Sequence, residues 1–229
     1  MPILNLNLWQ SFQLLYDIAA LPTRPDIRLS YHRAVLFDRL YKDRVEHIPQ
    51  ALGWTSTTRI AVLACGFGWF VEQLQAHGFI NVIGADISTF VQANKNTTEE
   101  ADINAAITLA GLSPLVGEGQ AIKGKLYDGG LRSRVTILNE DGQTNGSRTR
   151  IRQALSNIQV IYTELLLQAL TDSEAVTVAN ALRQIAPCVH LFSTPDPSQP
   201  GLLNWKTGPQ WKALIPQDTF VEDGPYTVF

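Results

Sequence analysis

The stretch Arg59–Ser88 restricts the fold of this chain more than any other. It reads Arg-Ile-Ala-Val-Leu-Ala-Cys-Gly-Phe-Gly-Trp-Phe, then a helical run, then Val-Ile-Gly-Ala-Asp-Ile-Ser. An apolar run ending at glycine predicts a buried strand over Arg59–Cys65. Gly66 and Gly68 form a turn in which the backbone can approach a ligand where a Cβ would clash. Phe70–His77 reads as the crossover helix, and its N-terminus offers unpaired N–H groups. Asn81–Asp86 reads as a second strand ending in an acid. Asp86 lies about 20 residues past Gly66, the spacing at which an acid can hold a ribose hydroxyl. A strand, glycine turn, helix and strand in this order form a βαβ unit suited to an adenosine-containing cofactor.

The rest of the chain extends this unit. Val135–Asp141, Gln159–Glu164 and Cys188–Thr194 read as further strands. Thr149–Ser156 reads as a helix, and Thr171-Asp-Ser-Glu174 as a capping box opening another, with Val178, Leu182 and Ile185 on one face and Pro187 beyond its end. Thr219–Val221 and Tyr226–Phe229 are expected to close the sheet as an antiparallel pair turned at Asp223-Gly224-Pro225. Upstream, Arg28–Ile48 carries Leu29, Leu36, Leu40, Val45 and Ile48 at helical spacing. Thr97–Glu100 forms another capping box, with a helix to about Ala110. Glycine-rich 111–134 reads as a long loop or excursion. Alternating strands and helices predict an α/β fold with a mostly parallel sheet and helices on both faces. Gly66, Asp86, Asp141 and Glu164 all fall at strand C-terminal ends, the edge where such sheets bind ligands.

Composition narrows the partners. The net charge is −3 and the pI about 5.8, so nucleic acid is not an expected partner. Charged residues make up 17% of the chain, a thinly charged surface that favours burial in an assembly. Cys65 and Cys188 are the only cysteines. Neither they nor His32, His47, His77 and His190 show metal-ligand spacing. Met1–Gln10 lacks the basic region of a signal peptide, and no apolar run approaches a membrane span. The expected location is therefore cytoplasmic.

The glycine turn excludes some ligands. A nicotinamide fingerprint needs a third glycine where Val71 stands, and a Walker loop needs a Gly-Lys-Ser/Thr ending that is absent. Ala64-Cys65-Gly66-Phe67-Gly68-Trp69-Phe70 resembles the first motif of class I S-adenosylmethionine-dependent methyltransferases, acid-x-Gly-x-Gly-x-Gly. Val82–Ser88 resembles their second motif, and Ile158–Leu170 with the following helix their fourth strand and helix. The resemblance covers roughly 59–194 of the chain. Cys-Gly-Phe-Gly-Trp, Ala93–Ile103 and Tyr31-His32-Arg33 more narrowly resemble methyltransferase-like proteins encoded by tailed bacteriophages.

The resemblance implies a Rossmann-like, doubly wound sheet of seven strands with a closing antiparallel strand. Residues 54–229 would form this domain, with an insertion at about 97–134, after an N-terminal segment and cap helix at 1–53. It implies S-adenosylmethionine as cofactor. Gly66, Phe67 and Gly68 would pass under its methionine part, Asp86 would take the ribose hydroxyls, Ile87 would lie against the adenine, and Asp141 would approach the adenine amino group. Glu164 or His32 would take a proton from the acceptor. Ile161-Tyr-Thr-Glu164 stands where a DNA amino-methyltransferase carries an Asn-Pro-Pro-Tyr-type signature, so a small-molecule or protein acceptor is favoured. The departures from the family pattern, Ala64 for the acid and the bulky Trp69-Phe70 pair at the third glycine, which is expected to fill the cofactor pocket, support a second expectation. This is a structural or accessory protein of a phage particle that keeps the fold without the chemistry, located in the host cytoplasm or the virion.

Plainer readings stand beside these. Cys65 has no identifiable His partner and reads as a small core residue. Tyr31, His32 and Arg33 fit an amphipathic helix face as well as a lid. Trp205, Lys206, Trp211 and Lys212 fit either a stacking site for an anionic or aromatic partner, or packing of the C-terminal region on the sheet.

Overall fold

The computed structural model describes residues 44–66, 68–87, 136–193, 204–223 and 226–229, with the backbone alone for Trp69. His32, Phe67, the Thr97–Glu100 capping box, the 111–134 loop and the first part of the Arg28–Ile48 helix lie outside them.

Among the described residues six strands form one sheet: β1 (Ile60–Leu63), β2 (Val82–Ala85), β3 (Ile137–Leu138), β4 (Val160–Glu164), β5 (Cys188–Phe192) and β6 (Thr219–Glu222). Their order is β3-β2-β1-β4-β5-β6, and every pair is parallel. β1 is the hinge of the register, with Ile60 beside both Val82 and Val160. The helices of the described residues are α1 (44–51), α2 (Trp69–Ala76), α3 (Asn145–Ala154), α4 (Asp172–Arg183) and α5 (Gly208–Leu214), with a 3-10 turn at Leu166–Ala169.

Strand parity sorts the core into two layers. Ala61, Leu63, Ile83, Ala85, Ile161, Cys188 and Phe192 face α3, α4 and α5. Their neighbours Ile60, Val62, Val82, Val160, Tyr162, Val189 and Leu191 face α1 and α2. Burial on both faces explains why the strands read as continuous apolar runs rather than alternating ones. The fold is therefore α/β with a parallel sheet covered on both sides, as the alternation of elements predicts.

Several expectations change in detail. The described residues give six strands, all parallel, where seven with a closing antiparallel strand were expected. Tyr226–Phe229 does turn back along β6, through a single antiparallel bridge between Val221 and Val228 and paired backbone hydrogen bonds between Phe220 and Phe229. It does not extend into a strand. Of the expected strand Val135–Asp141, Ile137–Leu138 form β3, and a bend at Asn139 ends it before Asp141; Val135 lies outside the described residues. The next helix begins at Asn145 rather than Thr149, because the Thr144 hydroxyl caps it by accepting from Ser147 N–H. The capping box at Thr171 forms as read: Glu174 Oε2 accepts from Thr171 N–H at 2.9 Å.

α5 has no counterpart in the sequence reading. Gly208 and Pro209 look like breakers, yet proline is suited to the first helical turn. The available signal was Thr207-Gly-Pro-Gln210, a capping box in which Gln210 Oε1 accepts from Thr207 N–H at 2.8 Å.

Candidate functional site

The strand order reverses direction between β1 and β4, and the crevice at the C-terminal ends of these strands is where doubly wound sheets bind ligands. The backbone there is unusual. Ala64 after β1 and Leu165 after β4 both have positive φ, 54° and 56°. Each such non-glycine residue costs about 1–2 kcal/mol, and such strain gathers at functional edges. Gly66 and Gly68 continue the left-handed path at φ 54° and 80°. Gly68 N–H donates to the Cys65 carbonyl at 2.9 Å, closing a tight turn, and Gly68 then serves as the N-cap of α2.

Asp86 meets this turn directly. Its Oδ2 accepts from Gly66 N–H at 2.8 Å, and the residue is 7% exposed. A carboxylate buried to this extent requires partners, and a backbone N–H is a strong one. The glycine turn and the acid, 20 residues apart in sequence, are thus one unit in space. Ile87 follows, half-buried against the α3–α4 core layer.

Phe70 and Cys65 shape the underside of the turn. Phe70 does not occupy the crevice. Its ring is buried beneath α2 and stacks on Tyr162 with centroids 4.5 Å apart. Burial first, then the charges of Asp86 and Glu164, push the Cys65 thiol well above its ordinary range. Cys65 is thus a protonated packing residue, and both carboxylates bear on it from the same edge of the sheet. Gly84 in β2 makes room for it, since a Cβ there would lie 2.7 Å from Cys65 Sγ. Gly84→Ala is expected to destabilise the fold by about 1–3 kcal/mol by overpacking. Cys65→Ala should relieve most of that loss in the double variant, measured by urea unfolding. A full, additive cost in the double variant would show that the strain lies elsewhere.

Glu164 ends β4 with its carboxylate held. Arg44 Nη1 donates to Glu164 Oε1 at 3.2 Å, and Arg44 Nη2 donates to Asp223 Oδ1 at 2.7 Å. The Tyr162 hydroxyl also donates to Glu164 Oε1, at 3.4 Å. One guanidinium fork from α1 therefore bridges the ends of β4 and β6. Sequence reading had no route to this fork, because its partners lie 120 and 179 residues away.

Asp141 stands past the end of β3, where its Oδ1 accepts from Gln143 N–H at 2.9 Å. Beside it, Glu140 pairs with Arg150. Burial raises the Glu140 carboxyl, but hydrogen bonds from Arg150 and Ser147 outweigh that and hold it below its ordinary range. The edge thus brings Gly66, Gly68 and Asp86 into one hydrogen-bonded unit with Glu164 near it, and places Asp141 beyond the end of β3.

Chemically, this edge offers a helix N-terminus, a turn that admits close backbone approach, and a buried acid able to face a diol. No protein-family model matches the chain, and no curated protein matches it. Among the described residues, no helix is long and apolar enough to cross a membrane.

Proposed function

We propose that this chain is an S-adenosylmethionine-dependent methyltransferase-like protein whose cofactor lies at the β1–β4 crevice. The observation that carries the reading is the contact of Asp86 Oδ2 with Gly66 N–H, at the point where the strand order reverses. Gly66, Phe67 and Gly68 would pass under the methionine part, Asp86 would take the ribose hydroxyls, and Ile87 and Asp141 would serve the adenine. The burial of Phe70 in the core supports this, because that substitution for glycine adds no bulk to the crevice.

The cofactor supplies a methyl group on a sulfonium. The protein's share of such a displacement is positioning and exclusion of water, so few catalytic side chains are needed. Glu164 and His32 are the candidates to take the acceptor's proton. The acidic net charge and the Ile161-Tyr-Thr-Glu164 segment favour a small-molecule or protein acceptor over DNA.

Calorimetric titration with S-adenosylmethionine and S-adenosylhomocysteine tests the reading. Micromolar affinity is expected, weakened at least about tenfold in Asp86→Ala, since a charged hydrogen bond contributes roughly 1.5–3 kcal/mol. Asp86→Asn keeps an oxygen for Gly66 N–H and separates loss of charge from loss of the turn. Absence of binding at millimolar ligand would sink the proposal. Binding of NADH but not S-adenosylhomocysteine would redirect it to a nicotinamide enzyme, for which the β3-β2-β1-β4-β5-β6 order is equally suited.

A second reading is a structural or accessory phage protein with a degenerate methyltransferase fold. The Arg44 fork favours it, because it holds the acceptor-side carboxylate in an internal ion pair. Mass spectrometry of purified particles decides: stoichiometric presence supports this reading, and absence removes it.

A further inference from the structure

A polar island interrupts the apolar layer between the sheet and α4. His190, in the middle of β5, lies between Thr163 of β4, its register partner, and Asp218 just before β6. Thr163 Oγ1 is 2.8 Å from His190 Nδ1, and His190 Nε2 is 2.8 Å from Asp218 Oδ2. Arg183 Nη1, from the last turn of α4, donates to Asp218 Oδ1 at 2.9 Å. Cys188 sits two residues before His190, on the same face of β5. The Cys188, His190 and Asp218 donor atoms all lie within 4.8 Å of one another. The three residues are 2%, 1% and 1% exposed.

We propose that Cys188, His190 and Asp218 bind a divalent transition metal ion, with zinc the ion their chemistry favours. A thiolate, an imidazole and a carboxylate form a mixed donor set that suits zinc and disfavours magnesium or calcium. Around zinc, such donors sit about 2.0–2.3 Å from the ion, hence roughly 3.2–3.8 Å from one another. Side-chain adjustments of about 1 Å reach that geometry. The outer atoms of two ligands are already held in the way metal ligands are usually oriented: Thr163 at the far ring nitrogen of His190, and Arg183 at the far oxygen of Asp218. The Cys188 thiol is held as well, donating to the Ala186 carbonyl at 3.5 Å.

Binding balances simply. Cys188 gives its thiol proton to solvent. The imidazole coordinates through Nε2, so the proton that Nε2 shares with Asp218 is given up and one is taken on at Nδ1, a change of tautomer with no net proton loss; Nδ1–H then donates to Thr163, whose hydroxyl can accept as readily as donate. The ion replaces the hydrogen bond between Nε2 and Oδ2. Thiolate and carboxylate offset the two charges of the ion, and with the Arg183 guanidinium on Asp218 the cluster carries one net positive charge. Buried as it is, the site clamps β5 to the entry of β6 and has a structural role, independent of the cofactor reading.

The test uses the full-length chain, stripped with a chelator and reloaded with one equivalent of zinc or cobalt(II). Zinc-edge X-ray absorption is expected to show one sulfur scatterer at about 2.3 Å, with nitrogen and oxygen at about 2.0–2.2 Å. The cobalt form is expected to carry a thiolate-to-metal charge-transfer band, kept in Cys65→Ser and lost in Cys188→Ser. Zinc should raise the Tm by several degrees. If Cys188→Ser fails to fold, Cys65→Ser still decides, because Cys188 is then the only thiol. No retained equivalent after dialysis, or a zinc edge without sulfur in Cys65→Ser, overturns the proposal.

Discussion

Arg44→Ala is expected to lower the stability of this protein by about 3 kcal/mol. The Arg44 side chain is 5% exposed and bridges Glu164 and Asp223, whose side chains are 14% and 24% exposed. Removing the guanidinium takes one shared positive charge away from two carboxylates in a partly dry place. Breaking a buried pair by deleting one partner commonly costs about 3–5 kcal/mol. The partial exposure of Asp223 places this case at the lower end. In a chain of this size that corresponds to a fall in Tm of about 10 °C.

The companion variant sharpens the argument. Glu164→Gln in the Arg44→Ala background removes one of the two carboxylate charges and should recover about 1 kcal/mol or more of the loss. Urea unfolding of both single variants and the double gives the coupling. A loss below about 1 kcal/mol for Arg44→Ala would mean that solvent screens the fork. The case for an internally occupied acceptor side would then fall with it.

The second large effect belongs to the opposite face. Trp211, in α5, is fully buried and stacks on Phe220 of β6 with centroids 5.7 Å apart and planes 10° from parallel. Trp211→Ala is expected to cost about 3–5 kcal/mol through lost burial and the cavity left behind. Trp211→Phe should cost less than about 2 kcal/mol. It keeps an aromatic ring on Phe220, and among the described residues the Trp211 Nε1–H has no hydrogen-bond partner to lose. Equal losses for the two variants, measured by chemical denaturation, would mean that the indole N–H rather than the ring face holds this site. The result also bears on the two readings of the C-terminal aromatics. Lys206 lies over the Trp211 ring at 5.9 Å and pairs with Asp172, so these residues serve the attachment of α5. For Trp211 that is the packing reading, and its buried ring offers no face to an external partner.

Local chemistry made much of the fold legible in advance. Continuous apolar runs mark strands buried on both faces, and such runs identified β1, β2, β4 and β5 to within two residues at each end. The capping box at Thr171 and the glycine turn at Gly66–Gly68 were legible for the same reason, since each depends on residues a few positions apart. The α5 capping box was equally local, but its Gly208-Pro209 pair reads first as a breaker. β3 was overestimated because pattern alone does not show where a turn ends a strand.

Of the candidate site, the sequence by itself determined that a glycine turn and an acid close two neighbouring parallel strands, because the βαβ unit brings them together. Only the tertiary structure decided what those residues do with their hydrogen bonds. Asp86 meets Gly66 N–H, Phe70 turns into the core rather than the crevice, and Arg44 holds Glu164. The same holds for Cys188, His190 and Asp218, which carry no ligand spacing along the chain. They converge because two lie on one face of β5 and the third enters the adjacent strand. Contacts between residues 28 to 179 positions apart leave no trace in local pattern, because sheet order and register, not spacing along the chain, set them.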